Sequence, residues 1–137
     1  MRPNDVIIHT EPETYIEAVQ SFLECNEAEN GLFLGVLGLL RQDPPKSTPF
    51  MAEAVSGGET VCAAIFRDRN LVITRGPEAA WPMIAEKLKE TGTNIPGVFG
   101  PAVEAEWMAA AWAQVRGSQA SLAIDHRLIQ THASELA

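Results

Sequence analysis

Cysteine is scarce in this sequence, positive charge is outnumbered by negative, and no apolar run is long. Its two cysteines, Cys25 and Cys62, stand apart in apolar surroundings, with no CxxC pair and no histidine at ligand spacing. That excludes a disulfide framework or a zinc ribbon and leaves two buried free thiols as the expectation. Ten Lys and Arg face 18 Asp and Glu, for a formal net charge of -8. Such a surface repels nucleic acid and anionic membrane, so neither is expected as a partner. The longest apolar run, Leu32 to Leu40, falls far short of the roughly 20 residues that span a bilayer. The opening MRPNDVIIHTEPE lacks an apolar h-region and meets acidic residues early. It does not read as a signal peptide, and a cytoplasmic protein is expected.

What is present suits one soluble domain over residues 1–137, with 46% hydrophobic and 20% charged residues. Thr10 and Glu13 have capping-box spacing, and Tyr15, Ile16, Val19, Phe22 and Leu23 follow on one helical face. Asn30 is placed to cap a second helix, GLFLGVLGLLRQ, apolar nearly all round as a buried helix would be. Gly35 and Gly38 each cost such a helix about 1 kcal/mol relative to alanine, which predicts close packing against another backbone. DPPKSTP ends it. FMAEAV, the turn SGGE and TVCAAIF then read as a hairpin, and LVIT as a third antiparallel strand. Trp81, Ile84, Ala85 and Leu88 form the inward stripe of a third helix, with Pro82 in its first turn and Gly92 as its C-cap. Trp107, Met108, Ala111, Trp112 and Val115 mark a fourth, and ASLAIDHRLI alternates as a last strand. The expected class is α+β, helices packed on an antiparallel sheet in the order α-α-β-β-β-α-α-β.

Residues 94–101, NIPGVFGP, could be a phosphate cradle or a tight corner. A cradle needs backbone N–H groups converging at a helix start and a helpful cation. Here Val98 and Phe99 separate the glycines, no Lys, Ser or Thr follows, and Glu104 and Glu106 load the next helix start with negative charge. The stretch reads instead as a rigid corner, its alternative being one wall of a binding cleft, with Phe99 plugging the core. Gln114-Val-Arg-Gly117-Ser-Gln119 begins like a coenzyme A pyrophosphate loop, but it ends a helix and enters a strand, and Gln119 replaces a small residue. His9, His126 and His132 have no partner at metal or triad spacing, so no metal site and no catalytic residue is assigned. Arg67, Arg69 and Arg75 gather around one turn of the meander and are the anion-binding candidates, against the commoner use of charge to guard strand edges. The run Glu11, Glu13, Glu24, Glu27 and Glu29 reads as a solvated face.

ENGLFLGVLGLL, the GG hairpin, NIPGVFGP and EWMAAAWAQVRG, in this order, resemble the N-terminal half of a bacterial branch of the GNAT superfamily of N-acetyltransferases. That branch shows an NLxLG-like helix, a gGevvga-type hairpin, an LPGVxGP loop and an aWaxxtG helix. The match runs from about Asn30 to Leu128, and Gly31 departs from the leucine usual after the asparagine. The resemblance implies a GNAT-like α/β fold and an acetyl-CoA-dependent family. In that family the acetyl-CoA loop and the catalytic residues lie in a second segment, near whose expected start this chain reaches Ala137. No cofactor is therefore expected to bind this chain by itself. Asn30, Leu34, Pro96, Gly97, Val98, Phe99 and Gly100 would form the walls of an acceptor cleft or domain interface. The expected partner is a small-molecule ligand or the missing C-terminal GNAT half. The alternative is a stand-alone, non-catalytic module binding a small molecule or protein, its apolar half-interface covered in a homodimer.

Overall fold

The computed structural model describes residues 5–42, 48–67 and 70–116. In chain order the elements are β1 (Asp5–His9), α1 (Pro12–Glu24), α2 (Gly31–Gln42), β2 (Phe50–Ser56), β3 (Glu59–Phe66), β4 (Leu71–Ile73), α3 (Ala80–Glu90), β5 (Val98–Phe99) and α4 (Ala102–Arg116). The five strands form one sheet in the order β1-β2-β3-β4-β5. The first three pairings are antiparallel, and β4–β5 is parallel, as its α3 crossover allows. The class is α+β, as expected. The order differs from the predicted α-α-β-β-β-α-α-β by two strands, β1 and β5. The predicted strand ASLAIDHRLI, residues 120–129, lies outside the described residues.

Alternation along the strands sends side chains to two separate cores. Val6, Phe50, Ala52, Ala54, Cys62, Ala64, Leu71, Ile73 and Val98 pack against α3 and α4, around Trp81, Ile84, Leu88, Met108 and Trp112. Met51, Ala63 and Ile65 turn the other way and meet α1 and α2 through Tyr15, Ile16, Val19, Leu23, Phe33, Leu37 and Leu40. The sheet is thus the middle of three layers. Tyr15, wholly buried, donates its hydroxyl to the carbonyls of Ala52 (3.0 Å) and Ala64 (2.9 Å), fastening α1 to the paired β2 and β3.

Local chemistry explains the boundaries. Gly57 (φ 59°) and Gly58 (φ 82°) both sit in the left-handed region, the two-residue hairpin that SGGE predicts. Gly92 (φ 74°) follows the C-cap Thr91 and stops α3. The start of α1 corrects the capping-box expectation. The N-cap is Glu11, Pro12 occupies the first turn, and the Thr14 hydroxyl bonds the Glu11 carbonyl, so Thr10 lies outside the helix. α2 corrects a second one. Its Gly35 and Gly38 face outward, and among the described residues nothing beyond the adjoining backbone of α2 itself lies within 4 Å of where their Cβ would stand. Leu32 and Leu39 are exposed beside them, so α2 is buried on one face only. No helix among the described residues is long and apolar enough to cross a membrane.

Candidate functional site

The register across β3, β4 and β5 sets Ile65 beside Val72 and Val72 beside Phe99. Those three side chains form a row on the α2 face of the sheet. Just beyond the end of β3 and just before the start of β4, Arg67 and Asn70 also line this side. Above the row, α2 supplies Leu32, Val36 and Leu39, spaced four and three residues apart and so on one helical face. These eight residues line a cleft of about 490 Å³. It lies between the second and third layers at the β5 side of the sheet, where α1 no longer covers it. Arg67 is half-buried, its Nε is shielded from solvent, and it lines the cleft beside apolar side chains.

Phe99 is the predicted site residue that lines this cleft, together with the anion candidate Arg67. Phe99 is half-buried and does not plug the core; Val98, 1% exposed, does. The reason is strand parity, because NIPGVFGP contains strand β5 and is not only a corner. The Gly97 carbonyl accepts from Leu71 N–H at 3.0 Å, and Pro96 beside it is exposed. Gly100 is fixed by close approach: a Cβ there would stand 2.5 Å from Ile73 Cγ1 and 2.9 Å from the Ile73 carbonyl oxygen. Asn30 lies elsewhere. Its side-chain amide donates to the Leu23 carbonyl at 3.1 Å, tying the end of α1 to the start of α2. Leu34 packs against the α1–α2 core.

Of the three candidate arginines, the two described ones, Arg67 and Arg75, lie apart. Arg67 lies beyond Phe66, which pairs with Leu71, whereas Arg75 follows Ile73 and Thr74 at the far end of β4. At about 3.3 Å per strand residue the two are separated by roughly 15 Å of sheet. Arg75 pairs with Glu29 in the α1–α2 link. Arg69 lies outside the described residues, as do His126, His132 and Gly117.

The turn from β4 into α3 is where a strand-to-helix anion loop would sit. There the Gly76 N–H faces the Glu104 carboxylate at 3.4 Å, so negative charge from α4 already occupies that corner. A Cβ on Gly76 would stand 2.4 Å from Cys62 Cβ, which leaves the turn no slack. Cys62 beneath it is buried, and burial pushes its thiol up to about 12. Cys25 corrects the expectation of two buried thiols: it is exposed, and both are free.

One polar cluster went unread in the sequence. His9 Nε2 lies 2.6 Å from Glu53 Oε2, and the Thr60 hydroxyl reaches Glu53 Oε1 at 2.8 Å. Glu53 is 4% exposed, in the middle of β2. A bulge between β2 and β3 at Ala54/Val55 shifts the register by one residue, and that shift turns Thr60 toward Glu53. The His9 ring also leans on Tyr15 with centroids 5.3 Å apart. The only local signal was a carboxylate inside the apolar run MAEAV; its partner is 44 residues away. Among the described residues, no three metal-ligating side chains converge.

No family model, curated protein or solved structure matches this chain.

Proposed function

We propose that this chain is a GNAT-like N-acetyltransferase N-terminal domain that shapes an acceptor or small-molecule cleft and does not transfer acetyl groups by itself. The observation that carries the reading is the cleft over Ile65, Val72 and Phe99, because it draws together an apolar floor, an apolar helical wall and two polar side chains. Phe99 comes from the stretch NIPGVFGP and Leu32 from ENGLFLGVLGLL, two of the segments that carry the family resemblance. The acetyl-CoA half of the reading rests on the β4–α3 turn, where the Glu104 carboxylate would repel a pyrophosphate. Acetyl-CoA therefore belongs with the family's second segment and not with these residues.

Two titrations test this. Calorimetric titration of acetyl-CoA into the chain is expected to give no saturable heat; one-to-one binding would end the non-catalytic reading. An environment-sensitive apolar dye is expected to bind saturably and to lose its site in Val72→Trp, whose indole fills the cleft. Equal dye binding by that variant would remove the cleft from the account.

The exposure of Leu32 (39%) and Leu39 (49%) on α2 favours a second reading, a stand-alone binding module that pairs through this face. Sedimentation velocity showing a monomer across a wide concentration range would dispose of it.

A further inference from the structure

We propose that β1 is a self-pairing edge: two copies of this chain join antiparallel through Asp5–His9, with a two-fold axis at Ile7, and merge their sheets into one. The inference stands apart from the cleft. β1 is an outer strand, and among the described residues no strand pairs with its free side. It carries no lysine, proline or bulge, the usual guards of an exposed edge. One contact fixes its hydrogen-bonding phase. The Val6 N–H donates to Asp5 Oδ1 at 2.8 Å, so it points away from β2. Backbone groups alternate sides along an antiparallel strand. The N–H and C=O of Val6 and Ile8 therefore face outward, and those of Asp5, Ile7 and His9 turn to β2.

That phase suits a second copy. With Ile7 opposite Ile7, Val6 falls opposite Ile8, and their outward groups exchange N–H···O=C bonds on both sides of the axis. The side chains match as well. Ile7, 40% exposed, meets its own copy. Val6 and half-buried Ile8 continue the apolar row that packs on α3 and α4. Asp5 falls opposite His9, whose Nε2 is engaged by Glu53 and whose Nδ1 is left for the incoming carboxylate. Asp5 then exchanges the Val6 N–H for that imidazole, and the Ile8 carbonyl of the second copy takes the N–H. Between two chains of net charge -8, this register sets an acid opposite a base at both ends of the pair, and that complementarity names a second copy as the partner. A five-residue strand pair is small beside the roughly 1,200–2,000 Å² of stable interfaces, so the dimer is weak and concentration-dependent.

Disulfide trapping tests the register. In a Cys25→Ser background, which removes the exposed thiol, Ile7→Cys is expected to cross-link two copies under mild oxidation. A pair facing across the axis without hydrogen bonds has Cα atoms about 4.5 Å apart, within disulfide reach. Asp5→Cys in the same background is expected to stay uncross-linked, because four residues of offset put it roughly 13 Å from its own copy. Both positions are exposed, and thermal midpoints confirm that the variants fold. Equal cross-linking at both positions, or none at Ile7→Cys, would overturn the pairing. Sedimentation equilibrium on the wild-type chain supplies an independent readout. A monomer–dimer equilibrium is expected, weakened roughly tenfold or more by Ile7→Lys, which sets lysine opposite lysine. A wild-type monomer at every concentration would overturn the proposal. A dimer that Ile7→Lys leaves unchanged would overturn it too, by assigning association to another surface such as the exposed face of α2.

Discussion

Gly100→Ala tests how tightly β5 is seated. The added methyl would stand 2.5 Å from Ile73 Cγ1 and 2.9 Å from the Ile73 carbonyl oxygen, against about 3.5–4.0 Å for a relaxed carbon contact. Rotation of the Ile73 side chain relieves the first clash but not the second, because the carbonyl belongs to β4. The backbones of β4 and β5 must therefore part by roughly 1 Å. Those strands have only three and two residues, paired Leu71 to Val98 and Val72 to Phe99, so little pairing resists the movement. Overpacking of this kind costs about 1–3 kcal/mol. Urea unfolding is expected to show a lower midpoint at unchanged slope. Ile73→Ala removes Cγ1 but not the carbonyl, so the double variant Ile73→Ala/Gly100→Ala should recover only part of the coupling. The close-approach argument is refuted if Gly100→Ala keeps the wild-type midpoint, or if the two substitutions simply add.

Tyr15 is the only tyrosine, and its burial, with Glu53 nearby, raises its ionisation well above 10.0. A raised phenol stabilises the fold fully below the unfolded value and less as pH climbs past it, so stability should fall from about pH 10 upward. Phenolate absorbance at 295 nm should then rise together with unfolding and not before; a simple titration near pH 10 in the folded protein would contradict this. Native Cys25 should react with a thiol reagent at pH 8 while Cys62, raised to about 12 and buried, reacts only on unfolding; equal rates would sink the assignment. His9→Ala should destabilise by about 3 kcal/mol, because it leaves the buried Glu53 carboxylate without its imidazole partner. Glu53→Gln should cost less in the same urea assay, since an amide of the same shape still meets both His9 and Thr60.

The four helices were legible because each repeats its apolar residues with helical spacing over three turns or more, and SGGE was legible because a tight hairpin needs left-handed φ at both glycines. β1 was missed for the opposite reason. Asp5–His9 has five residues, and its pairing of Val6 with Ala54 lies far along the chain, beyond any local pattern. The β-branched run Val6-Ile7-Ile8 was the available signal. β5 was hidden by its neighbours, since two strand residues between glycines and prolines look like a turn. That also misplaced Phe99, because which of Val98 and Phe99 faces the core follows from strand parity alone. Arg67 was named from its sequence neighbours as one of a cluster. Its actual surroundings come from a register shared by three strands, and no single segment encodes that.

The same parity divides labour between the two faces of the sheet. On one face the row Phe66, Leu71 and Val98 lies beneath α3 and α4, where buried Trp81, Met108 and Trp112 fill the space. One residue along, the row Ile65, Val72 and Phe99 faces α2 across the cleft, and among the described residues the small and exposed positions of α2 leave room above it. Gly100 and Gly76 pin the packed face, through contacts that admit no Cβ. The open face is free to accept a ligand because the closed one supplies the rigidity: a cleft floor can hold its shape only if the strands beneath cannot slide. Loosening the closed face should therefore reach the cleft. In Gly100→Ala, displaced β5 would carry Phe99 away from Val72, so dye affinity should fall even at temperatures where the variant remains folded. Dye binding unchanged in a destabilised Gly100→Ala protein would show that the two faces are mechanically independent, and the floor would need another source of rigidity.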